Sequence, residues 1–253
     1  MLLQTTAQKI VFSLLALFLL VTTGKDWFDF YSCGAVSQCL SEAGTLQLYT
    51  KSVMTTLLTV LAFMKAPSAF CSRDGKLLRI AFVFSLIADY CFSLTTVIAP
   101  NSGSLGTLLG ISFFMVFQTV LIYRHSRTSE SDTKLPRVYA LLAIAVLAGI
   151  ILLATGTLEL TVAIVVVYGV FVVTSMIVGI LAPRKEYFPS KNALFVRWGM
   201  VAFFCCDACV GLSMVTGENH SALQAVAEIA NNLIWWFYVP AQLMLIRASA
   251  KPE

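Results

Sequence analysis

Apolar residues run in long stretches along this chain, and polar residues gather in short clusters between them. Read at helical spacing, the pattern predicts eight helices, roughly over residues 9–23, 45–64, 79–98, 106–123, 137–155, 160–182, 195–216 and 222–246. Several of these stretches reach the roughly 20 apolar residues that cross a bilayer. Alternation at period two, the mark of a membrane barrel, is absent. Proline punctuates the pattern: Pro136 opens the fifth segment, while Pro100 and Pro183 follow the third and sixth. The first apolar segment, IVFSLLALFLLVTT behind Lys9, resembles a signal peptide's hydrophobic core, but no small-x-small cleavage site follows it, so it reads as a span. The expected fold is an all-α membrane protein of eight transmembrane helices, forming a single integral membrane domain over residues 1–253.

Composition strengthens that reading. Hydrophobic residues make up 58% of the 253 and charged residues 12%, with a mean hydropathy of +0.85. A soluble domain carries about 25% charged residues. The net charge of +4 does not imply nucleic acid as a partner, because the basic residues gather in alternate loops. Lys65, Arg73, Lys76 and Arg79 lie between spans two and three, and Arg124, Arg127, Lys134 and Arg137 between four and five. Arg184, Lys185, Lys191 and Arg197 lie between six and seven, and Arg247 and Lys251 in the tail. The segments APNSGSLG, TGTLEL and TGENHSA between them contain no Lys or Arg. Both termini are therefore expected on the cytoplasmic side. Short loops make a bacterial inner membrane the first expectation, with the endoplasmic reticulum second.

Two stretches repeat one another at an offset of 118 residues, RIAFVFSLIADYCFSL (79–94) and RWGMVAFFCCDACVGL (197–212). Arg79, Val83, Asp89, Cys91 and Leu94 match Arg197, Val201, Asp207, Cys209 and Leu212. Spans three and seven then run in the same direction, as in two parallel four-helix halves of about 1–125 and 126–253. Each Asp stands ten residues past a basic-loop Arg, hence about 15 Å up a helix and near the middle of a bilayer. A carboxylate at that depth costs about 2.5–3.5 kcal/mol on insertion scales. Buried acids satisfied for structural reasons are the bland alternative. Matched depth favours a cavity shared by the two.

Other polar residues fall at compatible depths. Lys51 is either a snorkelling lysine or a cation that keeps one Asp ionised. Gln118, Tyr168, Asn231, Asn232 and Gln242 each fit interhelical hydrogen-bonding, and together with the acids they outline a polar pocket. Trp235, Trp236 and Tyr238 either pack at the interface or stack on a cationic headgroup. Cys33 and Cys39 pair if their loop faces an oxidising compartment. Cys205, Cys206 and Cys209 read as packing residues, and with only His125 and His220 available no zinc-like spacing occurs. No metal or cofactor is expected.

With these residues assembled, the chain resembles the YhhN-type lysoplasmalogenases, a family of eight-span membrane hydrolases. The resemblance rests on Lys51-Ser52 in span two, FSLIAD ending at Asp89 in span three, and Gly110 with Gln118 in span four. It continues through Tyr168 and Met176 in span six, and through Gly199, Phe203 and Cys206-Asp207 in span seven. Tyr238, Ala241 and Gln242 complete it in span eight. Four positions depart from the family pattern: Ser52 stands for Pro, Ala88 for Gly, Gln118 for His and Cys206 for Ser. Gln cannot carry a proton, so Gln118 implies a shifted substrate or a weakened activity.

The resemblance implies hydrolysis of the vinyl ether bond of lysoplasmenyl phospholipids, giving a fatty aldehyde and glycerophosphoethanolamine or glycerophosphocholine. The implied partners are this lysophospholipid and the surrounding membrane lipids. The residues suit that chemistry independently. Protonating a vinyl ether carbon needs an acid that keeps its proton near neutral pH, and a carboxyl shielded from water does so. The cation formed needs an anion beside it, and the attacking water needs a base. Asp207, flanked by Phe203, Phe204 and Cys206, is the expected acid, and Asp89, kept charged by Lys51, the expected partner. Two rival readings use the same residues: a proton-coupled transporter with paired midplane acids, and a lysolipid-binding member with little turnover.

Overall fold

The computed structural model describes residues 5–33, 40–98, 104–128, 135–214 and 221–251. Eight long helices appear among them: α1 (Thr6–Cys33), α2 (Leu40–Lys65), α3 (Ser72–Ile98), α4 (Leu105–Ser126), α5 (Leu135–Ala154), α6 (Leu160–Ile180), α7 (Ser190–Ser213) and α8 (Ser221–Arg247). The described residues contain no strand. Short 3-10 turns at Ala66–Ser68 and Ala182–Lys185 follow α2 and α6, each with a proline in its first two positions. That ring fixes φ for a tight turn and denies the preceding helix another donor. Glu186 closes the second turn with a left-handed φ of 57°. Pro100 and the Cys33–Cys39 pairing lie outside what is described; of Cys33 only the helical backbone is.

Six helices, α1 and α4 to α8, are long and apolar enough to cross a membrane, which marks a multi-pass membrane protein. Among the described residues α2 and α3 do not join them. Glu42, Lys51 and Lys65 sit in α2, and Arg73, Asp74, Lys76, Arg79 and Asp89 in α3. Two boundaries differ usefully from the sequence expectation. α1 continues ten residues past residue 23, taking in Lys25, Asp26 and Asp29, with Lys25 and Asp29 paired across one turn at 2.6 Å. α3 begins at Ser72, so Arg73, Lys76 and Arg79 occupy its first two turns instead of a loop.

The most extensive helix pairings are α7 with α8 and α3 with α4. Glycine permits both. A Cβ on Gly110 of α4 would fall 2.6 Å from the Phe92 ring of α3. One on Gly199 of α7 would meet Met244 Cβ at 3.1 Å and the Ala241 carbonyl at 3.3 Å. α2 packs on α1 and α3, and α6 bridges α4 and α7. The core between them is built from Leu58, Phe82, Phe117, Phe203 and Leu245, all fully buried. α5 stands at the edge against α6, and Ile144, Leu147 and Ile150 point outward from it. An apolar exterior of this kind is what a lipid-facing helix requires.

Candidate active site

Asp89 and Asp207 stand at the same height in their helices, each seventeen residues past the first residue of α3 or α7. At 1.5 Å per residue that is about 25 Å along each axis. Both carboxyls line one cavity of about 230 Å³, bounded by α3, α4, α6, α7 and α8. Its remaining wall is chiefly apolar, with Ile111, Phe114, Val165, Val210 and Ile234.

Around Asp89, residues one turn apart on two helices form a ladder. Ser85 and Asp89 share a face of α3, and Tyr238 and Gln242 share a face of α8. Gln242 Nε2 donates to Ser85 Oγ (3.1 Å), Ser85 Oγ lies 2.7 Å from the Tyr238 hydroxyl, and that hydroxyl donates to Asp89 Oδ2 at 2.5 Å. The Tyr238 proton goes to Asp89, so Ser85 is the donor to Tyr238. Thr55 Oγ1 of α2 adds a second contact to Asp89 Oδ2 (3.0 Å), sharing its proton with the Lys51 carbonyl (3.2 Å). One turn further along α3, Ser93 Oγ donates to the Asp89 carbonyl (2.8 Å) and meets Ser52 Oγ (2.9 Å).

Asp207 has a simpler setting. The Tyr168 hydroxyl of α6 lies 3.1 Å from both of its oxygens, one proton shared between two acceptors. Cys206 beside it is buried and lines the same cavity. Gln118 of α4 is wholly buried near the Tyr168 hydroxyl, yet neither of its amide atoms makes a hydrogen bond of good geometry. Neither Asp89 nor Asp207 has an ion-pair partner among the described residues. Hydroxyl donors surround both acids.

Lys51 lines a second cavity of about 210 Å³ with Ser52, Asp89, Phe92, Ser93 and Trp235. The opposing charge that acts on Lys51 is Asp26 of α1. The sequence reading took Lys51 as either a snorkelling lysine or the cation that keeps Asp89 charged, and it did not bring in Asp26, because it ended the first span before that residue. Trp235 is buried and packs edge-on against Tyr238, with ring centroids 5.2 Å apart. Trp236, one residue on, is 42% exposed.

The two adjacent asparagines separate. Asn231 is exposed on the outer face of α8, and Asn232 is buried, its Nδ2 donating to the Asp26 carbonyl (3.4 Å). Neither lines either cavity. Successive residues diverge by about 100° on a helix, so one inward-facing residue excludes its neighbour. Sequence reasoning also missed Thr55 and Ser85, although Ser85 stands one turn before Asp89 and Thr55 one turn after Lys51. The described residues contain no cluster of His, Cys, Asp and Glu suited to a metal ion.

The model of the YhhN family matches residues 46–249, a stretch that includes every residue of the two acid settings. No curated protein and no solved structure matches the chain.

Proposed function

The chain belongs to the YhhN family, and on that premise we propose that it is a lysoplasmalogenase-like hydrolase of the vinyl ether bond in lysoplasmenyl phospholipids. The observation that carries this reading is the meeting of two carboxyls, each held by a tyrosine hydroxyl, in one largely apolar cavity. Two hydroxyl donors converge on Asp89 and one on Asp207, so negative charge is better accommodated at Asp89. Asp207 is then the acid.

The reaction balances with water alone. Asp207 delivers its proton to the vinyl carbon on the chain side, and the double bond's electrons leave an oxocarbenium centre at the carbon bearing oxygen. Asp89 faces that cation and takes a proton from the water that adds to it. The hemiacetal formed then collapses: its hydroxyl proton passes through the carboxyls to the glycerol oxygen, the C–O bond breaks, and a fatty aldehyde and a glycerophospho-alcohol separate. Tyr238 and Tyr168 hold the two carboxyls in place, so the site is organised before substrate binds. Gln118 stands beside Tyr168 as a neutral polar group and takes no part in proton transfer. The same proposal adds α2 and α3 to the six apolar helices to make eight spans, gives one integral membrane unit of two parallel halves, sets both termini on the cytoplasmic side, and favours a bacterial inner membrane.

The test is aldehyde release from a synthetic lysoplasmenylethanolamine by the purified protein in detergent, with no ion gradient. The expected products are aldehyde and glycerophosphoethanolamine in equal amounts, and in heavy water the freshly trapped aldehyde carries deuterium on its second carbon. Asp207→Asn is expected to abolish release while the protein remains folded. Full activity in that variant, or no aldehyde from the parent protein while substrate uptake into vesicles follows a pH gradient, overturns the proposal.

A further inference from the structure

The two acids do not share all of their surroundings. Of the residues lining the apolar cavity, only Asp89, Phe92 and Trp235 also line the second cavity, where Lys51 stands. Asp207 belongs to the apolar cavity alone. Asp89 is therefore the one titratable group at the junction of an apolar chamber and a chamber that offers a cation.

The hydroxyls of the second chamber are committed. Ser93 donates to the Asp89 carbonyl, which leaves Ser52 as the donor across the 2.9 Å Ser52–Ser93 contact. Lys51 is the cationic group on that wall. Asp26 of α1 is the opposing charge that acts on it, and an ammonium has three donors to share.

A single-chain phospholipid has the same division: an apolar chain, an anionic headgroup, and the ether bond where they meet. We infer that the Lys51 chamber holds the phosphate of the lysophospholipid headgroup and the Asp207 chamber holds the alkenyl chain, so that the ether bond crosses Asp89. This assignment rests on the hydrolase reading above and gives the substrate a direction. The chain-side carbon, which must receive the proton, lies towards Asp207. The carbon bearing oxygen, which must receive water, lies at Asp89. Lys51 is on this reading a specificity residue for phosphate.

The test compares two vinyl ethers with the same chain, lysoplasmenylethanolamine and an alkenylglycerol that lacks the phosphate. Lys51→Met is expected to lower kcat/KM for the phospholipid by about 10- to 100-fold, the value of a charge-assisted contact, chiefly through KM. Hydrolysis of the alkenylglycerol is expected to stay within about twofold, and Lys51→Arg to restore most of the loss. In parallel, Kd for an uncleavable alkyl-ether lysophosphatidylethanolamine is measured in the parent protein and in Lys51→Met, with a rise of the same size expected. Equal losses on both vinyl ethers, or an unchanged Kd, overturn the headgroup assignment and leave the hydrolase reading standing. If the parent protein cleaves neither vinyl ether, the hydrolase reading fails, and the Kd comparison still decides whether Lys51 holds phosphate.

Discussion

Two groups of buried acids in this molecule are built in opposite ways. At the end that carries the basic loops, Asp74 and Arg124 are both fully buried and paired as a fork, Nε to Oδ1 at 2.8 Å and Nη2 to Oδ2 at 2.9 Å. Ser249 closes on Asp74 Oδ2 at 2.5 Å, and the guanidinium lies over the Phe188 ring at 5.3 Å. Charge is cancelled, and the cluster clamps α3, α4 and the end of the chain, where Phe70 N–H reaches the Ser249 carbonyl (2.9 Å) and Asn192 reaches the Ala250 carbonyl (2.6 Å). Asp89 and Asp207 stand further along the same kind of helix with hydroxyl partners only and open space in front of them. A buried acid matched by a cation serves the fold. One left facing a cavity is free to exchange a proton.

The largest effects separate the two groups. Asp89→Asn is expected to leave a folded protein with at least about a thousandfold less aldehyde release, since an amide cannot take a proton from water. Arg124→Met is expected to do the reverse at the level of the fold, costing about 3–5 kcal/mol because Asp74 is left buried and uncompensated. Thermal unfolding in detergent and turnover per folded molecule, measured on both variants, check the pair. The double variant Asp74→Leu with Arg124→Met is expected to recover much of the stability. Equal stability losses for Asp89→Asn and Arg124→Met would erase the distinction.

That distinction was half legible in the sequence. The two acids announced themselves as charges deep in apolar runs, and their common spacing from Arg79 and Arg197 matched their heights before any contact was known. Tyr168 followed from its depth, Gln242 from its polarity within an apolar span, and Tyr238 only as an aromatic that packs or stacks and through the family resemblance. What escaped was sidedness. Asn231 and Asn232 have the same depth, and only the rotation of α8 separates them. Asp26 escaped because KDWFDF reads as a polar boundary, while the chain carries the helix through it to Cys33. Ser85 and Thr55 escaped because small hydroxyl residues are common in apolar helices, where each satisfies itself on its own backbone. The Asp74–Arg124 clamp escaped because both residues lie in segments whose basic charge was explained by topology.

A middle-sized effect tests whether the tyrosines belong with the acids or with the packing. Tyr238→Phe removes the 2.5 Å contact to Asp89 and leaves Ser85 without its acceptor. Turnover is expected to fall about 10- to 100-fold, the range for a hydrogen bond to a charged group, with stability changed by about 1 kcal/mol. Tyr168→Phe is expected to fall in the same range. Ser85→Ala, one step further back in the ladder, is expected to cost about threefold to tenfold. A loss that does not diminish with distance from Asp89 would mean that the ladder supports the fold.

The smallest effect reads the structural end directly. Cys71 precedes α3, outside the membrane-crossing helices, and the backbone N–H groups of Asp74 and Arg73 hold its thiol below the ordinary range against the opposing pull of burial. A lowered thiol value keeps the thiolate present at lower pH, and the thiolate is the form that alkylates. Iodoacetamide labelling, followed by mass spectrometry on the Cys71 peptide, is therefore expected to have its pH midpoint below that of an ordinary cysteine. Asp89→Asn lies about 25 Å along α3 from this turn and is expected to leave the midpoint where it is. Arg124→Met releases Asp74, loosens the turn that aims those N–H groups, and is expected to move the midpoint upward. A midpoint that shifts equally in both variants would show that the two buried groups are coupled, and the separate roles argued for them would fall.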